Sequence, residues 1–311
     1  MTAPVRCAAI DCGTSSIRLL IADVDGAAVT DVVRETRIVR LGEGVDRTGR
    51  LAPTALERTR VALVDYAAAI RAHAAERVRM VATSATRDAR NRQDFVAMVC
   101  AELGVAPEVI DGAEEAALSF AGAASVYSET ETAPGPLLVA DIGGGSTELV
   151  RGDGGALCSF SMDVGCVRLT ERHLHDDPPP AAQVAAAVSD IRIAIEAARR
   201  HVPLNPAVTL IGVAGTVLTL AALVFGVERY DEAAVHGTTM SAAQVREVTG
   251  MLLAMTRAQR RALPAMHPGR ADVIGAGALV LRTLVEEIGV DAVTASGHDV
   301  LDGIVLRLAG R

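Results

Sequence analysis

At 311 residues, half of them hydrophobic, the chain has room for two domains of ordinary size and a sizeable core. Net charge is -8, only 2% of residues are aromatic and none is tryptophan, which argues against nucleic acid as a partner. All 30 basic residues are arginine, which excludes a P-loop lysine, a protein-kinase lysine and Schiff-base chemistry. No apolar run approaches the roughly 20 residues of a membrane span. The six residues before Cys7 leave no space for a secretory signal, and five cysteines without CxxC spacing suit a reducing cytoplasm better than disulfides or zinc.

Along the chain, antiparallel strands are expected near 5–12, 16–24 and 27–40, broken at Asp25-Gly26. Pro53 opens a helix reaching about Ala75, followed by a strand over 77–82, a helix over 90–103, a short strand over 108–110 and a helix of small residues over 113–124. Thr130–Pro136, with two prolines and a glycine, reads as a linker. The second half repeats the three-strand opening near 137–142, 147–151 and 156–163, with a turn at Gly152-Asp153-Gly154-Gly155. Pro178-Pro179-Pro180 starts a long Ala-rich helix to about Arg200. A buried strand over 208–213 then ends in the small turn Ala214-Gly215-Thr216. Helices near 241–254, 256–263 and 271–289, a strand over 291–296 and a closing helix over 299–309 complete the pattern. Strand groups followed by helices, twice over, predict α/β domains with ligand loops at strand ends. The domains are expected at 1–128 and 129–311, with the closing helix near 299–311 free to pack on the first.

The most informative segment is Asp141-Ile142-Gly143-Gly144-Gly145-Ser146-Thr147-Glu148, delivered by the apolar run Leu137–Ala140. Three glycines let backbone N–H groups close round an anion, and the acids at either end can hold a divalent cation or a water beside it. A glycine-rich hairpin turn is the competing reading. The balance shifts because the pattern occurs twice. Sliding the chain by 130 residues lays Asp11 on Asp141, Gly13 on Gly143, Ser16 on Ser146 and Leu19 on Leu149. Two such loops suggest two related domains facing each other across a phosphate site. Charge supports an anionic ligand. Residues 34–92 hold 13 Arg against 7 Asp and Glu, a basic lobe in an acidic protein that can steer a polyanion, although most of these arginines belong to solvated helix faces.

These motifs resemble the actin–sugar kinase–heat-shock ATPase superfamily and, within it, the exopolyphosphatase / guanosine pentaphosphate phosphohydrolase family. The resemblance runs over nearly the whole chain: Asp11–Leu20, Arg40–Gly44, Ala82–Asn91, Gly112–Ala116, Asp141–Glu148, Gly165–Glu171, Ala214–Thr216, Arg270–Ile274 and Asp302-Gly303. The implied fold is two ribonuclease-H-like, actin-like ATPase domains with a phosphate-binding cleft between them. The implied reaction is Mg²⁺-assisted hydrolysis of a terminal phosphoanhydride in inorganic polyphosphate or pppGpp, by a cytoplasmic protein that pairs as a homodimer. Ser15 departs from the family's usual asparagine, and Cys166 stands where serine or alanine is commoner.

Such a reaction needs a polyphosphate clamp, charge neutralisation and an oriented water. The clamp candidates are the loops Thr14-Ser15-Ser16, Gly143-Gly144-Gly145-Ser146 and Gly215-Thr216. Arg87 is the expected bidentate phosphate ligand, and Arg18 and Arg270 match family positions near the phosphate chain. Neighbouring helical residues point about 100° apart, so Glu114 and Glu115 cannot both face one water. The resemblance favours Glu115 as general base, with Glu148 as the rival base or the holder of water or metal. Asp11 and Asp141 are the expected Mg²⁺ ligands through water. His173 and His175 have poor metal spacing, and His236 and His298 are expected as loop contacts. A superfamily kinase and a non-catalytic polyphosphate or alarmone sensor are the alternatives; Ser15 favours the sensor, and the Glu-Glu-Ala match disfavours the kinase.

Overall fold

The computed structural model describes residues 4–26, 28–126, 135–153, 156–205, 208–229 and 231–310. The chain divides into two compact units, one of Met1–Gly122 with Val300–Arg311, the other of Ala123–Asp299. The expected linker residues 130–134 and the turn glycines Gly154 and Gly155 lie outside the described residues.

In the first unit the strands β1 (Val5–Cys12), β2 (Ser16–Asp25) and β3 (Ala28–Ile38) form an antiparallel meander. Helices α1 (Val45–Thr48) and α2 (Pro53–Ala72) follow, then β4 (Arg77–Ala82), α3 (Ser84–Asp88), α4 (Arg92–Leu103), β5 (Glu108–Val109) and α5 (Gly112–Ala123). β4 and β5 add in parallel, giving the order β3-β2-β1-β4-β5. Period-two alternation divides the core in two. Ala8, Ile10 and Cys12 of β1, with Ile17, Leu19 and Ile21 of β2, pack on Leu63, Tyr66 and Phe95 of α2 and α4. Cys7 and Ala9, with Leu20, Ala22 and Val24, pack on Leu118 of α5 and on the closing helix. Tyr66 is fully buried and donates its hydroxyl to the Ile17 carbonyl at 3.0 Å, so its polar end costs nothing in the core.

The second unit repeats the plan with β6 (Leu137–Ile142), β7 (Thr147–Asp153) and β8 (Ala156–Met162). Then come α6 (Cys166–His173), α7 (Ala181–Arg199), β9 (Thr209–Val213), α8 (Ala214–Val224), α9 (Glu232–Val235), β10 (Thr239–Ser241), α10 (Ala242–Ala254), α11 (Arg257–Arg261), α12 (Ile274–Ile288) and β11 (Ala292–Ala295). The sheet order is β10-β11-β9-β6-β7-β8, again an antiparallel triplet continued by parallel strands. α12 is apolar almost all round, as a central helix must be, and shares one core with Leu138, Ala140, Ile142 and Leu149.

The last helix, α13 (Val300–Leu308), returns to the first unit and covers β1, β2 and β4. Gly303 makes that possible: a Cβ there would lie 2.1 Å from the Leu118 carbonyl oxygen. Arg34 binds the buried Asp302 carboxylate with two donors, at 2.6 and 3.3 Å, and holds the helix in place.

The strand groups and long helices agree with the sequence pattern, but the short elements α1, α3, α6, α9 and β10 were not foreseen. α1, α3, α9 and β10 are three to five residues long, too short for periodicity to register. α6 carries Arg168, Arg172 and His173 among few apolar residues and so lacks an apolar run.

Candidate active site

Alternation also fixes which way the predicted acids face. In β6, Leu138, Ala140 and Ile142 enter the α12 core, so Asp141 projects from the opposite face. In β7, Leu149 enters the same core, so Glu148 projects opposite too. Asp141 and Glu148 are direct antiparallel partners, which places both carboxylates side by side on one face. They are 6% and 1% exposed. Two buried like charges at adjacent positions are unfavourable without a cation or proton between them. Ser161 of β8, opposite Glu148 on the other side, donates its hydroxyl to Glu148 Oε1 at 2.7 Å. This contact was not foreseen; the register alone would have found it.

The glycine turn between these acids is closed by Gly143 N–H donating to the Ser146 carbonyl at 3.1 Å. The turn at Ala214-Gly215-Thr216 follows β9, and α8 begins at Ala214 itself, which takes φ 69°. A left-handed alanine is uncommon and is held there by its surroundings. The Arg270 guanidinium lies flat on Gly215: a Cβ at Gly215 would stand 2.3 Å from Arg270 Nη2. Arg270 Nη1 donates to the Gly215 carbonyl at 3.3 Å and to Thr219 Oγ1 at 3.2 Å. Burial, with the nearby Arg270 charge, pushes the His267 imidazole below its ordinary range, and Gly269 N–H donates to its Nδ1 at 3.1 Å. Cys166, Thr216 and Gly277 meet behind these loops. A Cβ at Gly277 would come within 2.6 Å of Thr216 Cγ2 and 3.2 Å of Cys166 Cβ.

In the first unit, Asp11 and Arg18 occupy the register positions that Asp141 and Glu148 hold in the second. Here the pair is a salt bridge, with Arg18 Nη2 2.6 Å and Nε 3.1 Å from Asp11 Oδ2. Gly13 N–H closes the loop on the Ser16 carbonyl at 2.9 Å. Thr14 is buried and shares a 2.9 Å hydrogen bond with Ser84, the first residue of α3, while Ser15 and Ser16 are half-buried. Ser84 lies in the Thr83-Ser84-Ala85-Thr86-Arg87 stretch, and its link to the loop could not be read from sequence.

Arg87, in the last turn of α3, donates Nη1 to the Ile110 carbonyl at 2.9 Å and stands 3.4 Å from Glu115 Oε2. The structure therefore brings the expected phosphate ligand and the expected base together. Glu115 is 7% exposed near the start of α5. Its neighbour Glu114 turns away, pairing with Arg79 at 2.7 Å and Arg307 at 3.3 Å. Six of the thirteen arginines of the basic lobe, Arg34, Arg37, Arg58, Arg60, Arg79 and Arg87, have carboxylate partners. His173 bonds Asp190 at 2.9 Å, and the His236 and His298 rings lie 4.4 Å apart. Among the described residues there is no cluster of three or more His, Cys, Asp or Glu arranged to hold a metal ion. None of the described helices is long and apolar enough to cross a membrane.

Comparison with known proteins bears on this arrangement. Exopolyphosphatase 2 of Mycobacterium tuberculosis is 55% identical over 98% of this chain and 99% of its own length. A guanosine-5'-triphosphate,3'-diphosphate pyrophosphatase of Aeromonas salmonicida is 28% identical over 97% of this chain but only 59% of its own length. The crystal structure of an exopolyphosphatase-like protein superposes with a TM-score of 0.94 at 46% identity, covering 98% of both chains. The fold is α/β in two units, each built on its own mixed sheet, and the likeness to that structure covers both. The model of the Ppx/GppA phosphatase family matches residues 20–311, and the chain belongs to that family.

Proposed function

We propose that this protein releases terminal phosphate from inorganic polyphosphate, with pppGpp as the second substrate to be tested. The observation that carries the reading is the buried, same-face carboxylate pair Asp141–Glu148 at the mouth of a triple-glycine loop, in a chain of the Ppx/GppA phosphatase family. Full-length likeness to an exopolyphosphatase at 55% identity, against 28% to a pyrophosphatase that extends well beyond this chain, supports testing polyphosphate first.

In this reading the N–H groups of Gly143–Ser146, Thr14–Ser16 and Gly215-Thr216 cradle phosphoryl oxygens. Arg87 and Arg270 neutralise charge that builds in the transition state. Glu115 takes the proton from the attacking water, and the Arg87 guanidinium beside it fixes the orientation of its carboxylate. The donor set fits Mg²⁺. Asp141 and Glu148 are hard oxygen ligands side by side on one face, and Asp11 would contribute through water. When bound, the ion neutralises phosphate charge and aligns the leaving group. Arg18 serves by holding Asp11 in place rather than by gripping phosphate. Five free cysteines, three of them buried, suit a reducing cytoplasm. Pairing of two copies belongs to the same reading and is tested by light scattering of the eluting protein.

The deciding experiment measures phosphate release with Mg²⁺ from long polyphosphate, tripolyphosphate and pppGpp side by side. Turnover on any of them is expected, with the highest kcat/KM on polyphosphate. No release from all three, with binding intact, would replace the hydrolase by the sensor and make Ser15→Asn the next variant.

A further inference from the structure

A glycine loop cradles an anion only if its peptides are turned so that N–H groups, not carbonyls, face the ligand. Glycine alone does not secure this, since it rotates freely. In the second unit something else does. The first three N–H groups of α6 all donate to loop carbonyls: Cys166 to Gly143 O at 3.0 Å, and Val167 and Arg168 to Gly144 O at 2.9 and 3.1 Å. No side chain caps this helix, so its orphan donors are spent on the loop. A trans peptide points its C=O and the next N–H in opposite directions. Drawing the carbonyls of Gly143 and Gly144 toward α6 therefore turns the N–H groups of Gly144 and Gly145 away from it. Among the described residues, neither of those two N–H groups has a hydrogen-bond partner.

We propose that the start of α6 is the backing plate that sets the anion cradle, and that Gly165 is its positioning residue. The proposal rests on the phosphohydrolase reading for its substrate. Gly165 has extended backbone, φ -155°, which any residue can adopt, so conformation does not demand a glycine there. Close approach does. A Cβ at Gly165 would lie 2.5 Å from Gly144 O, 2.6 Å from Gly144 C and 2.8 Å from Gly145 C, all backbone atoms that cannot swing aside. The plate reaches the neighbouring loop as well, because Cys166, next in sequence, and Thr216 both pack against Gly277. The first unit has a counterpart at the corresponding place after its third strand. Val39 and Arg40 donate to Ser15 O at 3.0 and 2.8 Å, and Gly42 donates to Thr14 O at 2.9 Å. A Cβ at Gly42 would stand 2.3 Å from Thr14 Cγ2.

The test is Gly165→Ala beside Ile195→Ala, a core truncation in α7 of the same unit. Both should lower Tm. Only Gly165→Ala should raise KM for tripolyphosphate, by roughly tenfold or more, with a smaller change in kcat. A folded Gly165→Ala variant with wild-type KM overturns the proposal, as does an equal rise in KM for Ile195→Ala at the same loss of Tm. Amide exchange in the wild type tests it even if Gly165→Ala fails to fold. The amides of Cys166, Val167 and Arg168 should be protected without ligand, and inorganic phosphate should slow exchange at Gly144 and Gly145. Unchanged rates at Gly144 and Gly145 overturn the proposal. Slowed rates in a protein that hydrolyses none of the three substrates leave the plate standing and remove the hydrolase reading.

Discussion

The two glycine loops share a backbone and differ in charge. Each follows the first strand of its unit, each is closed by a glycine N–H on a serine carbonyl three residues on, and each has an aspartate on the final turn of the strand before it. The residue opposite that aspartate is Arg18 in the first unit and Glu148 in the second. In the first unit the pair is a salt bridge at 2.6 Å. In the second it is two carboxyl groups side by side behind almost no solvent. A single register position thus separates a loop with an acid–base pair from one with two acids.

The strongest way to break this comparison is to give the second loop the first loop's pair. Glu148→Arg should place a guanidinium beside Asp141 as Arg18 stands beside Asp11. Circular dichroism should show the variant folded, so that lost activity reads as lost chemistry. Its phosphate release should fall by about a thousandfold, and added Mg²⁺ should not restore it. Turnover within tenfold of wild type, measured at saturating Mg²⁺, would remove the carboxylate pair from the mechanism.

The next effect sharpens the contribution of the first unit. Glu115→Gln should cost roughly a hundredfold in kcat, the usual scale for losing a general base. Glu114→Gln should leave kcat within about twofold, since that side chain is engaged with Arg79 and Arg307. The reverse ranking in steady-state assays would move the base off Glu115.

The sequence showed the repeated loops, the arginine-only chemistry and most long elements, because these rest on short motifs and periodicity. It could not show which acid lies opposite which residue, since register is a property of paired strands. The opposition of Asp141 and Glu148, the Ser161 bond to Glu148 and the neutral pairing of Asp11 with Arg18 all come from register. Nor could it show that Gly165, Gly215, Gly277 and Gly303 are glycines because another segment presses on them. Those contacts bridge residues from 20 to 185 positions apart, and nothing local marks them. Arg18 is the clearest case. Its strand position was legible, but its bond to Asp11 was not.

That bond has a stability consequence. Arg18 and Asp11 side chains are 16% and 8% exposed, so Arg18→Ala leaves a carboxylate largely cut off from water. Removing one partner of such a pair should destabilise the protein by about 3 kcal/mol. The expected loss in Tm is about 5 °C for a protein of this size. Glu148→Gln keeps an acceptor for the Ser161 hydroxyl and should cost less. Thermal unfolding of the two variants without added metal decides: equal losses would mean the two pairs are electrostatically alike.

The smallest effect is read through thiols, which happen to mark both loops. Cys12 follows Asp11 in β1, and Cys166 begins the helix behind Gly143 and Gly144. Burial drives the Cys12 thiol far above its ordinary range, and the Asp11 charge adds to the shift. Burial also raises Cys166, to about 11, against the opposing pull of Arg270 and Thr216. The thiolate is the reactive form, so neither should label at pH 8, whereas the exposed Cys100 and Cys158 should react at once. A folded-state value above the ordinary 9.0 means that Cys166 contributes stability in full below pH 9. That contribution is lost as pH rises through 11, because only the unfolded chain releases the proton in this window. Labelling between pH 8 and 10, followed by peptide mass analysis, then reports which loop opens first. Cys166 should stay silent until the second unit unfolds, because three hydrogen bonds tie its helix to the loop. Early labelling of Cys166 in an otherwise folded protein would show that the backing of the second loop is looser than that of the first.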